Sequence, residues 1–253
     1  MSERHERVEA EAFADVYEAA GLPLLRVADA VCCALPGVES FMLNRAIALG
    51  LERTPSDAEL NELDAFFRAA GSRYSVSLPP GCAPDLEPRL RERGFGDGYA
   101  WMKFTRGVDR PPTRETTLEI EETSDGDAFA GIVAAAFDLP PEAAASFATV
   151  TGHPGWHVFL AREGSEAVGA AALFLHERAG WLGAAGTLPE HRGKGAQGAL
   201  LAARIERACE LGADVVVTET GERVEGRPSS SYRNILRAGF AEAYLRPNLH
   251  SPQ

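Results

Sequence analysis

The sequence has few cysteines and no long apolar run. Its 253 residues include four cysteines, at positions 32, 33, 82 and 209. They form no CxxC pair and combine with no histidine spacing typical of a metal site, so we expect buried, reduced thiols and no metal. The longest apolar run, at residues 30–35, is far shorter than the roughly 20 residues of a membrane span. We therefore expect no membrane association.

Positive charge is also scarce. The chain has 25 Lys and Arg against 37 Asp and Glu, which gives a net charge of −12. This balance argues against binding of nucleic acid or anionic lipid and suits a neutral or cationic small substrate. The first seven residues are charged and lead into no apolar run, so we expect no secretion signal and a cytoplasmic protein.

What is present is a pattern of helices and strands in two halves. Residues 107–117 contain Pro111 and Pro112 among charged and hydroxyl residues, which is typical of a linker. The expected organisation is a first domain at 1–108, a linker at 109–117 and a second domain at 118–253.

Apolar spacing and turn residues predict the elements of the first half. Helices are predicted at 8–20, 57–70 and 84–93, and strands at 41–51, 74–78 and 99–105. In the second half, helices are predicted at 127–137, 141–150 and 195–211, with one more ending at 238. The strands of this half are predicted at 118–122, 156–162, 167–175, 181–188, 214–218 and 243–246. The strands at 156–162, 167–175 and 181–188 are predicted to form an antiparallel meander.

The two halves end alike. In the first, residues 90–95 read Leu-Arg-Glu-Arg-Gly-Phe with a tyrosine at 99, and in the second, residues 236–240 read Leu-Arg-Ala-Gly-Phe with a tyrosine at 244. The preceding order of elements also recurs, which indicates an internal repeat.

A glycine-rich turn at residues 192–198 follows the meander and leads into a helix. Three glycines in six residues let the backbone approach an anion closely. The first N–H groups of a helix have no intrahelical partner, and the helix dipole favours negative charge there. The sequence therefore predicts a phosphate site in the second half. In the first half, Thr54-Pro55-Ser56 occupies the equivalent place, and proline removes a donor.

This turn, Arg192-Gly193-Lys194-Gly195-Ala196-Gln197-Gly198, resembles the Q/R-x-x-G-x-G/A turn of the GNAT superfamily of acyl-CoA-dependent N-acetyltransferases. Arg192 and Gly195 match its first and fourth positions, whereas Gln197 stands where the family has Gly or Ala. The resemblance covers residues 118 to about 246. It implies a mixed α/β (α+β) fold of two GNAT-like domains, each a mostly antiparallel twisted sheet flanked by helices, the first lacking the pyrophosphate loop.

The resemblance also implies a site for acetyl-CoA. The family's turn binds the CoA pyrophosphate through main-chain N–H groups, and the strand before it splays from its neighbour to offer backbone groups to the pantetheine arm and the acetyl carbonyl. The residues expected to bind the cofactor are Ala185, Gly186, Thr187, Arg192, Gly193, Lys194, Gly195, Ala196, Gln197, Gly198, Ser231 and Asn234.

The catalytic groups are less clearly marked. The family often protonates the leaving thiolate with a tyrosine five residues before the Phe of the Gly-Phe pair, and that position is Ile235 here. Tyr232 is the expected acid, with Ser231 as an alternative that also reaches the sulfur. Glu219 is the expected base for the attacking amine. His176, Glu177 or a chain of waters are the alternatives.

The expected function is acetyl-CoA-dependent N-acetyl transfer to a primary amine, with a small molecule as the expected acceptor. One alternative is a catalytically silent acyl-CoA-binding regulator, because no tyrosine stands at position 235 and no base is evident. A second is a protein N-acetyltransferase. A homodimer is possible.

Overall fold

The computed structural model describes residues 2–112, 115–226 and 229–253. The chain divides into two compact units, one of Met1–Met102 with Tyr244–Gln253 and the other of Lys103–Ala243. Residues 244–253, which the predicted limits place in the second domain, lie in the first unit. The expected linker at 109–117 includes residues 113 and 114, which fall outside the described residues.

The first unit holds three helices among its described residues. They are α1 (Ser2–Ala19), α2 (Asp57–Ala69) and α3 (Leu86–Glu92). The strands are β1 (Leu24–Val27), β2 (Ala30–Cys33), β3 (Arg45–Ile47), β4 (Ser75–Ser77), β5 (Gly96–Asp97) and β13 (Asn248–His250). The sheet order is β1-β2-β3-β4-β13-β5. β3 and β4 pair parallel, whereas β1–β2, β2–β3, β4–β13 and β13–β5 pair antiparallel.

The second unit has a larger sheet. Its helices are α4 (Gly126–Phe137), α5 (Pro141–Ala148), α6 (Ala196–Glu210) and α7 (Ser230–Arg237). Its strands are β7 (Glu119–Glu122), β8 (Trp156–Glu163), β9 (Glu166–His176), β10 (Ala179–Thr187) and β11 (Val215–Gly221). Two further strands, β6 (Trp101–Arg106) and β12 (Ala241–Arg246), complete the order β12-β6-β11-β10-β9-β8-β7. β8 to β10 form the predicted antiparallel meander. β7 adds to it by pairing antiparallel with β8, and β10 pairs parallel with β11.

The two sheets share a plan. In each, a helix joins two parallel neighbours, α2 between β3 and β4 and α6 between β10 and β11. α3 and α7 both end at a glycine with positive φ, 88° at Gly94 and 86° at Gly239, followed by the buried Phe95 and Phe240. These features support the predicted repeat.

The last strand of each half lies in the sheet of the other half. β13, from the end of the chain, lies between β4 and β5, and β6, from the first half, lies between β11 and β12. This exchange explains why the ends of the two units differ from the predicted domain limits, since a strand's place in a sheet depends on pairing that local sequence does not encode.

Most predicted elements are present. The strand predicted at 41–51 is limited to Arg45–Ile47, and the β1–β2 hairpin, β5 and β13 were not predicted. The expectation of buried thiols holds for Cys32 and Cys33, but Cys82 is half-buried and Cys209 is exposed. No helix of the described residues is long and apolar enough to cross a bilayer.

Candidate functional site

The site begins with an irregularity in β10. Gly183 pairs with Ala172 of β9, but the next pair is Gly186 with Ala170, so β10 contains one extra residue. Ala184, inside this bulge, has a φ of 45°, a conformation that residues with a Cβ seldom adopt. A bulge of this kind releases backbone groups from the sheet ladder and redirects them.

β10 also separates from β11. The two strands pair only from Ala179 to Trp181, against Val215 to Val217. Just beyond this point the hydroxyl of Thr218 donates to the carbonyl of Leu182 at 2.7 Å. The strand therefore splays from its neighbour, as the resemblance implies, and leaves its C-terminal end open.

The glycine-rich turn follows a short 3₁₀ helix, Pro189–His191. Gly193 and Gly195 have φ angles of 85° and 89°. A Cβ on Gly195 would lie 3.0 Å from the carbonyl oxygen of Glu115. Both the positive φ and the lack of space for a side chain therefore favour glycine at this position. The hydroxyl of Thr116 donates to the carbonyl of Lys194 at 2.8 Å and holds the turn in place.

α6 starts directly at this turn, with Gly195 as its N-cap and no side chain capping it. Its first N–H groups and the positive end of its dipole therefore face the space beside the turn, an arrangement that favours an anion.

A cavity of about 650 Å³ lies where the end of β10, the turn and the start of α6 and α7 meet. Of the residues expected to bind the cofactor, its lining contains Ala185, Gly186, Thr187, Arg192, Gly193, Gly195, Ala196, Gln197, Gly198, Ser231 and Asn234. It also contains Glu115, Ala136, Phe137, His191, Leu200, Ser230 and Arg237. The cavity thus combines the glycine-rich turn with a strand edge and the polar face of a helix.

Lys194 is absent from the described lining. Its Nζ donates to Glu163 Oε2 at 2.5 Å, and His191 Nδ1 lies 2.8 Å from the same oxygen. Hydrogen bonds from Lys194 and His191 lower the pKa of the Glu163 carboxyl. The lysine side chain therefore belongs to an ion cluster at the edge of the turn, while His191 reaches the cavity.

α7 faces the cavity with small polar groups. Ser230 and Ser231 line it, and Asn234 Nδ2 donates to Gln197 Oε1 at 2.7 Å. This bond gives Gln197 a partner at the position where the family has Gly or Ala, and it links α7 to the first turn of α6.

Tyr232 has a different environment from Ser231. Its side chain is buried, its hydroxyl donates to Glu242 Oε1 at 2.6 Å, and it is not among the described residues that line the cavity. Burial and the bond to Glu242 raise its pKa to about 12. The expected role of Tyr232 as an acid stays a prediction that this geometry does not support.

Glu219 also has a partner away from the described lining. Its Oε2 accepts from the fully buried Lys103 Nζ at 2.5 Å. This carboxylate oxygen is held by an ammonium group, so the expected role of Glu219 as a base also stays a prediction. Among the described residues, no group of three or more His, Cys, Asp and Glu could hold a metal.

Two features of the site were missed from the sequence. α4 contributes Ala136 and Phe137, and a Cβ on Gly186 would lie 2.3 Å from that of Ala136, so glycine permits the close approach of α4 to β10. The second feature is Arg204 of α6, which is buried although it is charged. Its position four residues from both Leu200 and Ala208, on the apolar face of the helix, was the signal in the sequence.

The first unit has no equivalent cradle at α2. Ser56 and Glu59 form a capping box at its start, with Glu59 N donating to Ser56 Oγ at 3.3 Å and Ser56 N donating to Glu59 Oε2 at 2.8 Å. The helix end that would receive an anion is satisfied by its own side chains.

Residues 120–225 match a family model described as "Acetyltransferase (GNAT) family". No curated protein matches the chain significantly.

Several solved structures share the fold. A GCN5-related N-acetyltransferase from Kribbella flavida aligns with a TM-score of 0.71 and 18% identity, covering 100% of this chain and 96% of its own. A second, from Sphaerobacter thermophilus, aligns with a TM-score of 0.61 and 16% identity, covering 96% and 91%. A tandem GNAT protein from the clavulanic acid biosynthesis pathway aligns at 0.56 and 18%, covering 81% and 73%. The predicted mixed α/β fold is thereby confirmed.

Proposed function

Because residues 120–225 match a model of the GNAT acetyltransferase family, we propose that the chain is an acetyl-CoA-dependent N-acetyltransferase acting on a primary amine of a small molecule. One observation carries the proposal. The splayed end of β10, the glycine-rich turn and the uncapped start of α6 line one cavity of about 650 Å³.

The residues of the cavity fit acetyl-CoA. The backbone N–H groups of residues 193–198 and the dipole of α6 would hold the pyrophosphate, with Arg192 adding a positive charge. The bulge at Ala184 and Ala185 would place backbone groups beside the thioester, where an N–H stabilises negative charge on the carbonyl oxygen. Ser231 and Asn234 would face the sulfur from α7.

In the proposed reaction, the neutral amine nitrogen forms a bond to the thioester carbon as the C–S bond breaks. The amine gives up one proton and the thiolate gains one. Ser231 is the proposed donor to the thiolate, because it lines the cavity whereas the hydroxyl of Tyr232 donates to Glu242. Water is the proposed route for the amine proton, since Glu219 Oε2 accepts from Lys103.

The test is release of CoA thiol from acetyl-CoA across a panel of small amines and peptides with free N-termini or lysines. Turnover on small amines supports the proposal, and turnover on peptides alone would instead favour a protein N-acetyltransferase. Failure of acetyl-CoA to raise the melting temperature of the protein would contradict any acyl-CoA role.

A catalytically silent acyl-CoA-binding regulator is the second candidate. It is favoured by the partners of the two expected catalytic groups, Tyr232 with Glu242 and Glu219 with Lys103. Thermal stabilisation by acetyl-CoA without thiol release on any amine would identify this function.

A further inference from the structure

Arg204 is a buried cation in α6. Its side chain is 1% exposed, and within the described residues its recorded hydrogen bonds go to main-chain carbonyls. Nε donates to the carbonyl of Leu200 at 3.0 Å. Nη1 donates to the carbonyls of Ala172 at 3.0 Å and Gly183 at 3.3 Å. Burial lowers the pKa of Arg204 to about 9, which leaves the guanidinium charged at neutral pH.

The two carbonyls that share Nη1 mark the start of the bulge. Gly183 and Ala172 form the last regular pair of β10 with β9 before the extra residue enters. One guanidinium nitrogen therefore bonds both strands at the point where their register changes. There is no room for a side chain at Gly183, because a Cβ there would lie 1.9 Å from the ring of Trp181.

The bulge leads directly into the cavity wall. Ala185, Gly186 and Thr187 line the cavity, whereas Ala184 and Ala185 have no pairing partner on β9. Strand pairing therefore does not fix the conformation of these two residues. The Arg204 guanidinium bonds the carbonyl of Gly183, the last residue of β10 that pairs before these two.

We propose that Arg204 is a positioning residue that fixes the bulge of β10, so that the backbone groups of Ala184 and Ala185 face the carbonyl of a bound acyl thioester. This inference rests on the proposed function and names a further residue for it. Arg204 does not line the described cavity, so it acts through the backbone and not by touching the acyl group.

A merely structural role for Arg204 makes a different prediction. If the guanidinium only supports the packing of α6 on the sheet, its replacement weakens stability and acetyl-CoA affinity without a selective effect at the thioester. If it positions the bulge, the phosphate-binding end stays intact and the effect appears at the carbonyl.

The experiment is isotope-edited infrared spectroscopy of [1-¹³C]acetyl-CoA bound to the full-length protein, with calorimetry for affinity. Hydrogen bonding to the thioester carbonyl lowers its stretching frequency. We expect this lowering in the wild type, loss of about half of it or more in Arg204→Met, and a smaller loss in Arg204→Lys, with the dissociation constant changed by less than about threefold. The control is Arg207→Met, because Arg207 lies on the same helix and pairs with Glu122 and Glu210.

A wild-type carbonyl shift in a folded Arg204→Met variant would overturn the inference, as would a parallel loss of shift, affinity and melting temperature. The inference is also overturned if neither Arg204 variant folds, since Arg204 is then required for folding. A wild type that binds acetyl-CoA without a carbonyl shift refutes the inference alone. A wild type that does not bind acetyl-CoA refutes the proposed function together with it.

Discussion

Adjacent residues on a short helix can have different environments, and Ser231 and Tyr232 of α7 are such a pair. Ser231 lines the cavity, whereas the Tyr232 ring is buried with its hydroxyl on Glu242. Counting residues from the Gly-Phe pair cannot show which of the two faces the cavity. Neighbouring residues of a helix point about 100° apart, and the count does not fix the direction of the helix relative to the cavity.

Replacing each hydroxyl separately tests this assignment. We expect Ser231→Ala to lower kcat by about a hundredfold with little change in KM for acetyl-CoA, because a donor to the leaving thiolate is lost. We expect Tyr232→Phe to keep kcat and to cost about 1 kcal/mol of unfolding free energy through the lost bond to Glu242. Steady-state kinetics and thermal unfolding measure these effects. The reverse pattern, with activity lost only in Tyr232→Phe, would restore the tyrosine as the acid.

The raised pKa of Tyr232 gives a pH-dependent prediction. The phenol pKa is about 12 in the folded protein against a usual value of 10.0, because the ring is buried and donates to Glu242. Between these values the unfolded chain loses the proton first, so the stabilisation by Tyr232 is fully present below pH 10 and is lost as the pH rises toward 12. The melting temperatures of wild type and Tyr232→Phe should therefore converge over this interval. A constant difference would contradict the shift.

At the scale of elements, the starts of two helices decide in which unit we expect an anion to bind. α2 begins with the Ser56–Glu59 capping box, whereas α6 begins at Gly195 with no side-chain cap. Both helices connect parallel strands, yet only α6 leaves its first N–H groups open to a cavity in the part of the chain that the structure describes.

Two glycines at opposite ends of α6 provide a matched test. Gly195 and Gly212 have φ angles of 89° and 80°, so alanine strains either one. We expect each substitution to cost about 1 kcal/mol of unfolding free energy. Gly195→Ala should also weaken acetyl-CoA binding by at least about tenfold, because its Cβ would lie 3.0 Å from Glu115 O and disturb the cradle.

Gly212→Ala should leave the affinity unchanged, because a Cβ there meets nothing within 4 Å. Calorimetric titration of both variants measures the difference. Equal affinities of the two variants for acetyl-CoA would show that its pyrophosphate does not bind at the glycine-rich turn.

Local signals predicted the helices, the meander and the turn, because capping residues and apolar periodicity act over a few residues. The capping serine at 56 and the glycines at 193 and 195 are examples. The β10 bulge could not be predicted, because Gly-Ala-Ala-Gly is compatible with a regular strand and only the register against β9 shows the extra residue. The hydrogen bonds of Arg204 to the sheet could not be predicted either, because its partners are carbonyls of strands that lie far from it in the sequence.

At the scale of the whole molecule, the last strand of each half of the chain lies in the sheet of the other half. β13 completes the sheet of the first unit between β4 and β5. The segment before it contributes Arg246, which is fully buried and forms ion pairs with Glu6 and Glu9 of α1. The first unit is therefore built from both ends of the chain.

Removal of residues 248–253 tests this construction. We expect the truncated chain to lose protection from hydrogen exchange in β5 and to lose part of it in β4, because β5 loses its pairing with β13 and β4 keeps its pairing with β3 alone. Removal of residues 252 and 253 alone keeps β13 and serves as the control. Unchanged protection of β4 in the longer truncation would show that β13 is dispensable for this sheet.

Calorimetric titration of the full chain with acetyl-CoA tests the central claim most directly, since the second unit has the open cradle and the capping box closes its counterpart in the first. The account predicts one molecule bound per chain, with binding lost or strongly weakened in Gly195→Ala. Absence of binding, or two molecules per chain, would contradict it.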